Sequence, residues 1–323
     1  MLLYVRNALT MLAVLICTCA AALAQEFPLT VETRFGPAVI AERPDRVATL
    51  DFNGADDLLA LGIQPVAIRY WYGDYEQTVW PWAVEFLTSD PLVIHREIDL
   101  EALAATDPDV ILAMWSGIDT DMHAKLSQIA PVVAVSDGVG DYEMPWDARA
   151  RLAGLATGRL EQAETAIARL NARFDDLQTA NPNWQGRTAS VAYVWDGRLG
   201  VYGSGDVRPQ ILSNLGFATP AAVDALVPEG GFAVDISGES LPDIDADVIL
   251  WFASQEDFSP VLNLPGRDVL KGGEIFVDDL LTGAFSHASL LSLPYALDRL
   301  EPALNASLAS PKAPIDLTEG KTQ

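Results

Sequence analysis

Glu101-Ala102-Leu103 followed by Asp109-Val110-Ile111-Leu112 returns 138 residues later as Glu239-Ser240-Leu241 followed by Asp247-Val248-Ile249-Leu250, with the same internal spacing. In each copy an acidic residue opens a short helical pattern, and four apolar residues in a row come next. Four consecutive apolar residues suit a strand covered on both faces, the kind found in parallel α/β sheets. The chain therefore reads as two related α/β halves.

Working outward from each copy, strand and helix patterns alternate. In the first half, strands are expected at Val47–Leu50, Val66–Ile68 and Val132–Val135, and helices at Ala55–Leu61, Leu100–Ala105 and Asp121–Ile129. In the second half, strands are expected at Ser190–Trp195 and Ile275–Val277, and helices at Pro209–Leu215 and Leu290–Leu300. Gly62 and Gly216 each follow a leucine where a helix should end, as C-terminal capping glycines do. Between the halves, Leu152, Leu155, Ile167, Leu170, Phe174 and Leu177 fall at helical spacing. They predict one long helix over 147–179, about 45 Å if continuous. From Ala306 the composition suggests a disordered tail. The expected organisation is a segment 1–24, an α/β lobe over 25–146, a connecting helix over 147–180, an α/β lobe over 181–305 and a tail over 306–323. Roughly 300 residues also exceed what one core usually holds.

The segment 1–24 has the layout of a secretory signal: Arg6, an apolar stretch from Ala8 to Ala22, and Ala22-Leu23-Ala24 before an expected cleavage after Ala24. Both cysteines, Cys17 and Cys19, lie within it, preceded by Ile16 and Thr18, a poor fit to a lipidation box. The processed chain then has no disulfide and no thiolate ligand. A periplasmic location is expected, without membrane insertion. The formal net charge of -25 argues against nucleic acid or anionic lipid as partner.

Two lobes joined by a helix leave a cleft between them, where ligands usually sit. The first half carries an extra stretch from Arg69 to Trp82 in which six of fourteen residues are Tyr or Trp. Trp71, Tyr72 and Tyr75 are assigned to the cleft, since ring faces suit flat, partly apolar ligands; Trp80-Pro81-Trp82 reads as a staple holding the loop. Trp115, Trp195 and Trp251 follow or end strands, at the edge where parallel sheets present ligand contacts. Arg198 and Arg208 are candidate contacts for an anionic chelate, and Phe285 and His287, after the last strand, are candidate cleft residues. Glu101 and Glu239 occupy equivalent helix starts, one per half, and as a pair suit docking onto a two-fold partner.

Several ordered segments together resemble the iron–siderophore receptors of ABC importers: Arg46-Val47 through Leu50-Asp51, Leu58 through Val66, Asp99 through Leu112, and Leu126 through Val132. Tyr75 through Ala83 and Ser292 through Asp298 resemble the ferric hydroxamate-binding subgroup. The resemblance spans about Arg46 to Pro302. It implies two Rossmann-like lobes with parallel sheets bridged by one rigid helix, a ferric siderophore as transported ligand with no cofactor, and a monomer that delivers to a permease dimer. It also implies that Glu101 and Glu239 meet permease arginines and that Trp115 packs on the siderophore. The arginine common in the hydroxamate type is missing from Asp74-Tyr75-Glu76-Gln77, which leaves Arg69, Arg198 or Arg208 to substitute.

Cobalamin, haem and bare zinc or manganese are the competing cargoes. Only His95, His123 and His287 exist, few for a metal receptor, and His95 and His123 read as surface residues. Enzyme signatures are missing: no Gly-x-Gly-x-x-Gly opens a helix after the first strand, and there is no P-loop or Gly-x-Ser-x-Gly elbow. A binding protein, not an enzyme, is the expectation.

Overall fold

The computed structural model describes residues 25–318 apart from Gly54. The expected signal segment, its cleavage site and both cysteines lie outside the described residues. The first sheet is entered by an antiparallel hairpin, β1 (Leu29–Thr33) and β2 (Gly36–Ile40). The lobe then runs β3 (Val47–Thr49), α1 (Asp56–Ala60), β4 (Ala67–Arg69), β5 (Leu92–Ile94), α2 (Leu100–Ala105), β6 (Val110–Ala113), α3 (Thr120–Leu126) and β7 (Val132–Ala134). Its five strands are all parallel, in the order β5-β4-β3-β6-β7.

The expected long helix is divided. α4 (Trp146–Ala156) ends at Thr157, and α5 (Leu160–Ala180) begins three residues later. Gly158 is the reason: it takes φ +69°, its N–H donates to Leu155 O, and Arg159 N–H donates to Gly154 O at 2.7 Å. This is the paired helix-end pattern that glycine permits. α5 then folds back along α4, with Trp146 facing Phe174 at 6.3 Å and Gly154 facing Ala163 so closely that a Cβ at 154 would overlap it. The 21 residues of α5 make the long backbone helix, about 31 Å by its rise per residue.

The second lobe contains β8 (Ala189–Trp195), β9 (Arg198–Tyr202), α6 (Val207–Ser213), α7 (Ala221–Leu226), β10 (Ala233–Ile236), α8 (Leu241–Ile244), β11 (Val248–Ala253), α9 (Ser259–Leu262), β12 (Gly273–Phe276), α10 (Asp279–His287), α11 (Ser292–Ala309) and β13 (Ile315–Asp316). Its order is β10-β9-β8-β11-β12-β13, parallel from β8 onward with an antiparallel β9–β10 edge. The disordered tail expected from Ala306 does not form over the described residues: 306–309 complete α11, and Ile315 pairs with Ile275 as a sixth strand. Ile315 and Leu317 pack on the core, an apolar pair outweighed in the sequence by its polar neighbours.

The repeated sequence has a repeated structural cause. Asp109 Oδ2 accepts the N–H of Arg46 at 2.8 Å, just before β3; Asp247 Oδ2 accepts the N–H of Thr188 at 2.8 Å, just before β8. Each aspartate thus fastens a central strand to its parallel neighbour. Gly62 and Gly216 both close their helices with one double bond pattern: Gly62 to Leu59 and Ile63 to Leu58, then Gly216 to Ser213 and Phe217 to Leu212. On β11, Val248, Leu250 and Phe252 enter the core shared by the lobes, whereas Ile249, Trp251 and Ala253 enter a separate core on the outer face. Period-two alternation within an all-apolar run is what covering both faces requires.

Candidate functional site

A cleft of about 1060 Å³ separates the two sheets. One wall is the loop after β4, from Trp71 to Tyr75, with Trp80. The opposite wall is the β8–β9 hairpin, whose two-residue turn, Asp196-Gly197, has both φ values positive (50° and 73°), as a tight hairpin needs. On that hairpin Tyr193 and Trp195, two apart, share a face and stack at 6.0 Å. Trp195 Nε1 donates to the Tyr202 hydroxyl at 3.0 Å. Gly200 lies directly across from Tyr193, and a side chain at 200 would overlap the Tyr193 ring.

Asp279, Thr282 and Ser286 of α10 form the floor, at i, i+3 and i+7 on one helical face. The aromatic loop reaches α10 as well. Trp80 stacks on Trp82 at 5.0 Å and covers Gly283, where a Cβ would overlap the ring. Trp80-Pro81-Trp82 is therefore a staple, and Trp80 still contributes to the cleft wall.

Arg208 faces the cleft from the first turn of α6. Its Nη1 donates to both carboxylate oxygens of Asp206 at 3.0 Å, its Nη2 donates to Ser286 Oγ at 3.0 Å, and its guanidinium sits 4.3 Å above the Tyr202 ring. Burial, the largest influence, opposes the charge, but Asp206 with Tyr202 and Tyr72 together outweigh it, so the pKa stands above its ordinary value. Among the described residues Nε has no hydrogen-bond partner.

Of the residues assigned to the cleft, Trp71, Tyr72, Tyr75, Trp195 and Arg208 line it. Five do not. Trp115 is only 3% exposed: it sits edge-on behind Trp71 at 5.3 Å, and Asp51 accepts its backbone N–H. Trp251 points to the outer core with Ile249 and Ala253 and donates to Glu274 at 2.8 Å, so strand alternation puts its ring on the outer face of β11. Phe285 packs on Phe252 at 5.5 Å. His287 is ringed by Trp71, Trp80 and Trp82, with Nδ1 2.9 Å from Gly283 O; burial drives its pKa down to about 3, so it is neutral. Arg198 stands at the rim and pairs with Asp235 at 2.8 Å. The second-wall residues Tyr193 and Tyr202 and the α10 face were missed; the Tyr193-x-Trp195 alternation and the i, i+3, i+7 spacing were the available signals.

Glu101 and Glu239 are both exposed, each at the helical start before a buried strand. Behind the cleft lies a polar group the sequence reading also missed. Asp51, Asp56 and Asp57 of the first lobe are buried with Arg149 of α4, which donates to Asp57 at 3.3 Å and to the carbonyls of His287 and Ala288. Trp82 Nε1 and Ser289 Oγ both donate to Asp56 at 2.7 Å. Burial raises Asp51 to about 6 and Asp56 to about 7. The described residues hold no group of three or more His, Cys, Asp or Glu placed to grip a metal ion, and no helix among them is long and apolar enough to cross a membrane.

The chain belongs to the periplasmic binding protein family, whose pattern it matches over residues 47–262. Among curated proteins it is 29% identical over 228 residues to the probable siderophore-binding lipoprotein YfiY of Bacillus subtilis (strain 168), covering 68% of this chain and 66% of that protein. Among solved structures it resembles a periplasmic solute binding protein from Mycobacterium smegmatis, at 29% identity and TM-score 0.72 over 87% of this chain and 98% of that one. It also shares its fold with PiaA of Streptococcus pneumoniae TIGR4 solved in complex with ferrichrome, at 24% identity and TM-score 0.75, over 87% of this chain and 98% of that one.

Proposed function

We propose that this protein captures a ferric siderophore of the hydroxamate type in the aromatic cleft and delivers it, outside the cytoplasm, to the permease of an ABC importer. The observation that carries the reading is the cleft itself: a cavity of about 1060 Å³ with rings on both walls and, among the described residues, one guanidinium, that of Arg208. A wrapped chelate presents apolar backbone to the rings and oxygen to a donor. Arg208 Nε, unpartnered among the described residues, supplies that donor, in the role once open to Arg69, Arg198 or Arg208. Arg69 donates instead to Ser116 O at 2.8 Å and sits over Phe52, outside the lining. The similarity to a probable siderophore-binding lipoprotein supports the cargo class. The role is binding and transfer, with no bond made or broken.

Glu101 and Glu239 are the proposed contacts with the permease, one on each lobe. Exposed charges of this kind set register and encounter rate more than affinity.

The test is titration of intrinsic Trp emission with ferric hydroxamate, catecholate and citrate complexes, alongside cobalamin and haem. Saturable, stoichiometric quenching by the hydroxamate complex is expected. Quenching by cobalamin or haem alone contradicts the reading.

A further inference from the structure

The charges of the cleft do not favour an anion. Among the described residues, three carboxylates, Asp74, Asp235 and Asp279, line it with one guanidinium, and both oxygens of Asp206 already hold that guanidinium. At the rim, Asp235 accepts from the Tyr193 hydroxyl at 3.1 Å and from Arg198 at 2.8 Å. The Arg198 side chain is 67% exposed, so the chain's own cation rests on Asp235 where an incoming group can exchange with it. The stacked rings of Tyr193 and Trp195 stand next to this carboxylate, and ring faces attract cations. The formal charge of -25 on the whole chain adds a field of the same sign.

An anionic cargo closing onto these groups loses water and, among the described residues lining the cleft, meets only the guanidinium of Arg208, whose charge Asp206 already balances, which is costly. A cationic arm instead replaces Arg198 on Asp235, one ion pair for another. Resting on the siderophore reading above, we propose that the cleft selects ferric chelates of net positive charge, seating an ammonium arm of the chelator between Asp235 and the faces of Tyr193 and Trp195.

The test compares three forms of one ferric tris-hydroxamate: with a free primary amine, with that amine acetylated, and with it succinylated to an anion. The ammonium form is expected to bind roughly tenfold more tightly than the acetylated form, and the succinylated form more weakly still. The ratio should fall towards one in Asp235→Asn and in about 0.5 M salt, and rise in Arg198→Ala. Equal affinity for the three forms, or tightest binding of the succinylated one, overturns the charge selection and leaves siderophore binding standing. Equal weakening of all three in Asp235→Asn makes that carboxylate a structural support and overturns the proposal as well. Failure of every form to bind overturns both readings.

Discussion

Asp56 and Ser289, 233 residues apart, are joined by a hydrogen bond of 2.7 Å from the serine hydroxyl to the carboxylate. The bond ties the first helix of one lobe to the turn between the last two helices of the other. With Arg149 bridging Asp57 to the carbonyls of that same turn, it makes the base of the cleft a buried polar joint.

That joint has a pH signature. Burial raises Asp56 to about 7 in the folded chain, above the ordinary carboxylate value near 4 that holds when unfolded. The folded state therefore binds the proton more tightly, and its stabilising contribution is complete below about pH 4 and lost as pH rises through 7. Asp56→Asn mimics the protonated form and still accepts from Trp82 and Ser289. From pH 5 to pH 8 the wild type should lose roughly 2–4 kcal/mol relative to Asp56→Asn, measured by urea unfolding. A constant difference contradicts the assignment.

Arg149→Met should destabilise the protein by about 3–5 kcal/mol, because it leaves Asp57 buried without its partner. Asp57→Asn in the same chain should recover much of the loss, and a thermal melt of the double variant reads it. An Arg149→Met protein as stable as wild type would deny the joint any structural role.

Trp115 and Trp195 should separate cleanly. Trp115→Ala opens a cavity in a packed core and should cost about 3–5 kcal/mol of stability. Trp195, partly exposed on the cleft wall, should lose cargo affinity on change to alanine with only a small fall in melting temperature. The reverse pattern would exchange their roles.

Gly200→Val should weaken cargo binding, since any side chain at 200 must push the Tyr193 ring from its place across the strand pair. Glu101→Ala with Glu239→Ala should leave binding in solution unchanged and depress uptake through the importer. Binding loss in that double variant would place the two glutamates in the cleft.

The lobes were legible because both halves repeat the aspartate that fastens a buried strand and the glycine that closes a helix. The break at Gly158 was legible in the same terms, since it obeys the rule that Gly62 and Gly216 obey, but a long apolar period masked it. Five of the ten residues assigned to the cleft, chosen from residue type and from position after strands, line the cavity. Trp115, Trp251 and Phe285 were misplaced because being at a strand end or after a strand does not fix facing: alternation along β11 turns Trp251 to the outer core, Trp115 lies behind Trp71, and Phe285 on α10 packs on Phe252. Tyr202 was overlooked because antiparallel β9 carried no strand signal as strong as the parallel runs, and Tyr193 because the expected strand over 190–195 was read only at its end, Trp195, and not for the face that Tyr193 shares with it. The buried Asp56, Asp57 and Arg149 joint was invisible, since its members come together only when distant segments meet.

Native mass spectrometry of the protein taken from the compartment where it works tests the central claim most directly. The account predicts one bound species per chain whose mass and isotope pattern are those of a ferric chelate, retained by the wild type and lost on Trp195→Ala. A corrin, a haem or an unchelated metal ion in its place would contradict it.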